Sequence, residues 1–366
     1  GYEQGQNRDY NTEYALDTTR LFRFLKNTQP DAVKKLQLET NPQKTAQFLA
    51  RVRDEITKRG IVDVLRKGIK AYPASLIMFY MTPSVNNPAA AALYAKNIFS
   101  VTRQLHFSPD ATKLSLDLCI FINGLPVLTF ELKNSLTKQT LADAIVQYQT
   151  TRSPQELLFQ LGRCVAHIAV DDVEAAFCTE LKGKASWFLP FNQGWNSGAG
   201  NPPNPDGLKT DYLWKQVLTR ESLANIIESY AQVVEEEEVD AGGKKRKKRK
   251  QIFPRFHQLR TVRALLRRAH ADGVGNRYLI QHSAGSGKSN TIAWLAHQLV
   301  ELRRKDDPLT VQFDSIIVIT DRRALDTQIA RTIKGYDHVA AIFGHSDNAQ
   351  ELREYLRRGK KIIVTT

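Results

Sequence analysis

The sequence predicts an α/β chain in two parts, a sheet-built first domain and then a partial P-loop domain. Three observations carry this. Residues 114–134, LSLDLCIFINGLPVLTFELKN, alternate as two strands around Asn123-Gly124, a strong hairpin signal. Residues 278–304 pass from a short apolar run through Gly285, Ser286, Gly287, Lys288 and Ser289 into a stretch with Ile292, Leu295, Leu299 and Leu302 at helical spacing. Strand, glycine-rich loop and helix in that order is the context a P-loop requires. Between the two parts, residues 235–250 read EEEEVDAGGKKRKKRK, a block with almost no apolar surface to bury, and so a mobile linker.

Taken in order, Leu16, Leu21, Phe24 and Leu25 fall near helical spacing, as do Phe48, Val52 and Ile56. Strands are expected over 75–81, 115–122, 126–133 and 165–170, and helices over 136–150 and 219–234. Residues 1–190 form the first domain. Residues 190–210, rich in Gly, Asn, Pro and Ser, are a loop, with Phe191 and Trp195 expected to pack on something. Residues 191–250 connect to a second domain over 251–366.

A length of 366 residues suits about two domains. A net charge of +14 favours a polyanionic partner, against the plainer reading of a charge that serves solubility. No apolar run approaches the roughly 18–20 residues that span a membrane. Cys119, Cys164 and Cys178 are widely spaced, as reduced core thiols in a cytoplasmic protein would be.

The hairpin holds the first candidate site. A strict two-residue turn would pair 117 with 130 and split the apolar face. A three-residue loop, with Gly124 in a left-handed bulge, pairs 117 with 131 and keeps the apolar residues together. In that register Asp117 and Glu131 share a face with Lys133. Two carboxylates that close repel unless a cation lies between them. Mg²⁺ suits such a pair, and Lys133 would stabilise charge building on a phosphorus centre. The chemistry would be phosphodiester hydrolysis. The plainer alternative is a surface sheet face carrying a salt bridge.

In the glycine-rich loop, backbone N–H groups would wrap phosphate oxygens, Lys288 would reach the β/γ-phosphates of ATP and Ser289 would bind Mg²⁺. His282 stands where the full pattern has its first glycine. Upstream, FPRFHQ at 253–258 offers Gln258 to read an adenine edge. Downstream, DSIIVITDRRALDTQ at 314–328 is a buried-type strand ending in Asp321, Arg322 and Arg323. HIAVDDVE at 167–174 looks like the strand-plus-acid of a P-loop ATPase but precedes the loop, and is assigned to structure.

With these residues in hand the chain resembles the restriction subunit (HsdR) of type I restriction–modification enzymes. The resemblance rests on LDLCIFINGLPVLTFELKN, FLPFNQGWNSGAGNPPNPDG, IFPRFHQLRTVRALL, YLIQHSAGSGKSNTIAWLAHQL, IIVITDRRALDTQIA and KKIIVTT, in that order. It implies a PD-(D/E)xK nuclease fold with Asp117 and Glu131 as metal ligands and Lys133 as catalytic lysine. Gln147 matches the glutamine of the family's Q-x-x-x-Y motif, although Thr151 stands at the tyrosine position. An early glutamate may join the metal site in such folds, and Glu13 is the nearest candidate. The resemblance further implies an incomplete first RecA-like domain of a superfamily-two translocase, double-stranded DNA as substrate, and methylation and specificity subunits as partners. Two other classes stay open: a helicase or translocase whose first domain only binds DNA, and a DNA-binding scaffold with a degenerate site.

Overall fold

The computed structural model describes residues 1–84, 87–239, 245–321, 329–330, 332–333 and 342–366. These form two compact units, Gly1–Phe253 and Pro254–Thr366, both mixed α/β.

The first unit is built on a seven-stranded sheet whose spatial order follows the chain. Its strands are β1 (Glu3–Gly5), β2 (Phe99–His106), β3 (Ser115–Ile122), β4 (Leu125–Leu132), β5 (Ala166–Val170), β6 (Ala175–Cys178) and β7 (Leu189–Pro190). The β1–β2 and β4–β5 pairs are parallel and the other four are antiparallel. Helices α1 (Thr18–Thr28), α2 (Pro30–Lys35), α3 (Pro42–Arg59), α4 (Ile61–Lys67) and α5 (Pro88–Ala95) fall between β1 and β2. Helix α6 (Leu141–Thr150) is the crossover that the parallel β4–β5 pair requires. It starts five residues later than the spacing predicts, because Ser135–Thr137 forms a 3-10 turn and Thr140 caps α6 in a reciprocal bond with Asp143.

The central hairpin differs from its sequence expectation in mechanism. Ile122 pairs with Leu125 across a two-residue turn, and the one-residue shift falls between Ile120 and Phe121, where Val127 is the extra residue. Asn123 and Gly124 both have positive φ, 51° and 82°, as a primed hairpin turn demands. The three-residue loop is therefore incorrect, and a bulge inside the ladder does the work assigned to it. Beyond the bulge Leu118 pairs with Phe130, and continuing that register sets Asp117 opposite Glu131. The turn is held from outside: the buried Asn123 side chain accepts from Ile98 N at 2.7 Å and donates to Met78 O at 2.9 Å. Gly124 O accepts from Asp17 N at 2.8 Å.

Both faces of the sheet are covered, so the division into an apolar and a polar face does not hold. On one side Phe130 packs on Trp214. On the other, Cys119, Phe121 and Ala169 join a core with Ala144 and Tyr148 of α6 and with Leu158 and Phe159. Thr129 sits between Tyr148 Oη at 2.9 Å and His167 Nδ1 at 2.8 Å. Burial holds the His167 imidazole neutral, its pKa pushed down to about 3. Asp171 and Asp172, the acids of the look-alike strand, accept backbone N–H bonds from Leu141 and Ser135, in keeping with a structural role.

Several local expectations shift. The strand expected over 75–81 is only Ala74–Leu76, paired with Ile69–Ala71, and β2 was not foreseen. The helix expected over 219–234 ends at Ser229, as α7 (Arg220–Ser229). Phe191 of the glycine-rich loop is buried against Phe177 and Phe253, while Trp195 is 49% exposed.

The charged run is not a tether. Strands β8 (Gln232–Val239) and β9 (Lys245–Ile252) form an antiparallel ribbon in which Glu235, Glu236, Glu237 and Glu238 stand opposite Arg249, Lys248, Lys247 and Arg246. The backbone register sets the acidic run against the basic run, a pairing that the low apolar content of the segment does not reveal. The ribbon's base belongs to the first unit: Arg249 donates to Thr57 O at 3.1 Å, and Arg66 to Ile227 O and Ala231 O. Residues 240–244, which include Lys244 of the basic run, lie outside the described ones.

In the second unit α8 (Phe256–Asp272) packs on α9 (Lys288–Val300). Strands β10 (Ile316–Ile319), β11 (Phe343–Ser346) and β12 (Ile362–Thr365) form a parallel sheet in the order β10-β12-β11, and α10 (Ala349–Arg357) lies between β11 and β12 in the chain. Ala293 and Ala296 of α9 pack against Val318, Phe343, Ile362 and Val364. The short strand expected just before the glycine-rich loop is not formed. Leu279 is 94% exposed, and among the described residues no strand pairs with the segment, so its apolar side chains gain nothing by extending.

Two predictions follow from this packing. A Cβ at Gly124 would lie 2.3 Å from Asp17 O. Gly124→Ala should therefore destabilise the first unit by at least about 2 kcal/mol, left-handed strain plus clash, read as a lowered denaturation midpoint. His167 has a folded pKa below its unfolded value of about 6.5, so its contribution is complete above that pH and is lost as pH falls toward 3. His167→Gln should make stability fall less steeply between pH 6.5 and 4, by up to about 1.4 kcal/mol per pH unit, measured by denaturant titration at each pH.

Candidate functional site

Asp117, Glu131, Lys133 and Gln147 converge where β3, β4 and α6 meet. Each arrives for a local reason. The bulge sets Asp117 level with Glu131, the two-residue period returns Lys133 to the Glu131 side, and α6 crosses that side because β4 and β5 are parallel. Asp117 Oδ2 accepts from Leu132 N at 2.8 Å, and Oδ1 from Gln104 Nε2 at 3.1 Å. The backbone bond couples Asp117 to the strand that bears Glu131. Lys133 Nζ donates to Gln147 Oε1 at 2.6 Å.

Glu131 is fully buried. Its Oε1 accepts from Arg152 Nε at 2.6 Å in an ion pair with both side chains buried. Its Oε2 is buried with no hydrogen-bond partner. Burial pushes the Glu131 carboxyl up to about 7, against the pull of Arg152, with the charge of Asp117 adding to the rise and Lys133 opposing it. A buried carboxylate oxygen without a donor is costly, and a cation is one partner that would relieve it. Among the described residues no group of three or more His, Cys, Asp or Glu could hold a metal ion, so a cation here would rest on two carboxylates and groups brought by solvent or substrate.

Arg152 is the residue sequence reasoning missed. It lies two residues beyond α6, anchored by Nη2 to Ser115 O at 2.7 Å and stacked over Phe107. Only its distance from Gln147 on the chain hinted that the helix end would return to Glu131. Glu13 is exposed in the turn before α1, and no described contact joins it to the cluster.

The second candidate site is the loop 283–289. The side chains of the FPRFHQ segment bind its carbonyls in sequence. Arg255 Nη1 donates to Gly285 O at 3.2 Å, His257 Nε2 lies 3.0 Å from Ser286 O, and Gln258 Nε2 donates to Gly287 O at 2.9 Å. In a trans peptide the N–H points opposite the carbonyl. With the carbonyls of Ser286 and Gly287 turned toward α8, the N–H groups of Gly287 and Lys288 face the other way. Gly287 has φ +80°, and a Cβ there would meet Gln258 Nε2 at 2.5 Å, so this approach needs glycine. Gln258 also accepts from Arg255 N at 2.8 Å and is buried, so its amide holds the loop and would have to be released to touch a base. His282 stacks edge-on against His257 at 5.0 Å. Lys288 Nζ folds back onto His282 O and Ser283 O, and Ser289 is in the first turn of α9. Asp321 follows β10, while Arg322 and Arg323 lie outside the described residues.

An α/β unit with an acid–lysine cluster on its central strands, followed by a unit with a glycine-rich loop opening a helix, defines a class of two-part α/β proteins. The description "Type I restriction enzyme R protein N terminus" belongs to the family model that matches residues 2–186, and the SWI2/SNF2 ATPase model matches residues 257–366. The chain belongs to the type I restriction enzyme R protein N-terminal family. It is 24% identical over 311 residues to a Methanocaldococcus jannaschii protein named as a type I restriction enzyme MjaVIIIP endonuclease subunit, covering 81% of this chain and 25% of that one. It is 24% identical over 271 residues to the type I restriction enzyme HindI endonuclease subunit of Haemophilus influenzae, covering 73% and 24%. The chain thus spans about a quarter of the length of the curated relatives it matches. No described helix is long and apolar enough to cross a membrane.

The buried pair yields a prediction. Arg152→Met strands Glu131 as an unpaired buried carboxylate and should cost about 3–5 kcal/mol. Adding Glu131→Leu should restore most of that loss in denaturant unfolding, because both charges are then gone.

Proposed function

We propose that the first unit is a PD-(D/E)xK nuclease domain that, in the complete protein, cuts double-stranded DNA with Mg²⁺, and that the second unit begins a RecA-like motor that translocates DNA with ATP. The observation that carries this reading is the convergence of Asp117, Glu131, Lys133 and Gln147, with one Glu131 oxygen buried and undonated.

Asp117 and Glu131 would hold the metal, Glu131 through Oε2 since Arg152 takes Oε1. When bound, the ion supplies Lewis-acid activation of water and phosphate. Lys133 places a cation where charge builds on the phosphate oxygens, and Gln147 holds its ammonium toward the cluster. Arg152 favours the ionised form of Glu131, which burial opposes. In the loop 283–289, the N–H groups of Gly287 and Lys288, the Lys288 ammonium and the Ser289 hydroxyl suit the phosphates and Mg²⁺ of ATP, with Gly285, Ser286 and Gly287 shaping the cradle and Gln258 holding it. The relatives are named as type I restriction enzyme endonuclease subunits, and the proposal sets this chain in the same kind of assembly, with methylation and specificity subunits as partners and the cytoplasm as the place of work.

A second reading, a motor whose first domain only binds DNA, draws on the Arg152–Glu131 pair, which could be structural. Lys133→Ala in the complete enzyme separates the two. DNA cleavage should fall by more than about 100-fold while DNA-dependent ATP hydrolysis persists. Unchanged cleavage would leave the DNA-binding motor as the better account.

A further inference from the structure

Away from the acid–lysine cluster, the first unit carries a groove of about 680 Å³ between the start of α3, the chain after α2, and the Ile69–Ala71/Ala74–Leu76 ribbon. Lys44, Gln47, Phe48 and Arg51 lie on one face of α3, at the i, i+3, i+4 and i+7 spacing of a helix. Phe48 and Leu38, both buried, make an apolar floor. Lys44, Arg51 and Lys70 bring positive charge to the lining. Arg51 is paired with Glu55 at 2.9 Å, whereas no ion pair is described for Lys44 or Lys70. At the tip of the ribbon Tyr72 is 99% exposed, its whole ring in water beside these cations.

A tyrosine usually buries its ring body and leaves only its hydroxyl wet. A fully solvated ring gains most from a flat apolar partner, and cations beside it suit one that is also anionic. Unstacked nucleobases on a phosphate backbone combine both, and cationic grooves with stacking aromatics are how single strands are bound without sequence readout. A duplex hides its base faces, and an acidic peptide brings charge without a matching plane. We propose that this groove binds single-stranded DNA, with Tyr72 stacking on a base and Lys44, Lys70 and Arg51 facing the phosphates. The choice of DNA rests on the function proposed above; the stacking site itself does not.

The test measures fluorescence anisotropy of a labelled oligothymidylate with the full chain. Tyr72→Ala should weaken binding roughly 5- to 100-fold, the range alanine substitution at stacking aromatics gives, and Tyr72→Phe should retain it. Lys44→Ala with Lys70→Ala should flatten the plot of log affinity against log salt by about 0.7 per lost contact. All three side chains are exposed, so folding should survive, and circular dichroism checks that it does. Bromouracil in the oligonucleotide should photo-crosslink to Tyr72. Unchanged affinity in Y72A, equal loss in Y72F, equal loss on duplex, or displacement by polyglutamate at matched charge would each overturn the proposal. None of these bears on Lys133→Ala in the complete enzyme, so the two readings fail separately.

Discussion

The candidate site of the first unit depends on one register. A hairpin closed by Asn123-Gly124 with an unbroken ladder would bring Asp117 level with Phe130. The single extra residue at Val127 moves every pairing beyond it by one and sets Asp117 toward Glu131. Because side chains alternate faces, a one-residue slip exchanges the whole set. The turn is clamped at the far end by Asn123, bonded to Ile98 and Met78, and by Gly124 against Asp17. At the near end Asp117 accepts from Leu132 N. With both ends held, the shift is confined to the bulge.

Around that register the unit buries an ion pair. Glu131 is enclosed with Arg152 on one oxygen and nothing on the other. A buried pair of this kind adds little net stability, since desolvation offsets attraction, but losing one partner is costly. Elsewhere the β8–β9 ribbon sets four glutamates against four basic residues in the register of its ladder. The paired run adds little to the net +14, and for Lys44 and Lys70 no ion pair is described.

In the second unit the loop 283–289 is organised from outside itself. Arg255, His257 and Gln258 take three successive carbonyls, which turns the N–H groups of Gly287 and Lys288 away from α8. The FPRFHQ segment was singled out in the sequence for what Gln258 would read. Its described role is to hold the loop, and His282, where the usual pattern has glycine, is part of the same support through His257.

What the sequence determined by itself was local and periodic. It located the hairpin at Asn123-Gly124, the shared face of Glu131 and Lys133, the glycine-rich loop before α9, the strand at 316–319, and the family to which the chain belongs. These follow from side-chain alternation, turn chemistry and motif order, all carried by near neighbours. What only the tertiary structure decided was where the register shift is taken up, that α6 returns Arg152 to Glu131, that β2 joins the sheet beside β3, and that the charged run closes into a ribbon. Each of these joins segments far apart in the chain or chooses between ladders of nearly equal local energy. Burial and cross-strand charge then make the choice, and neither exists until the chain has packed.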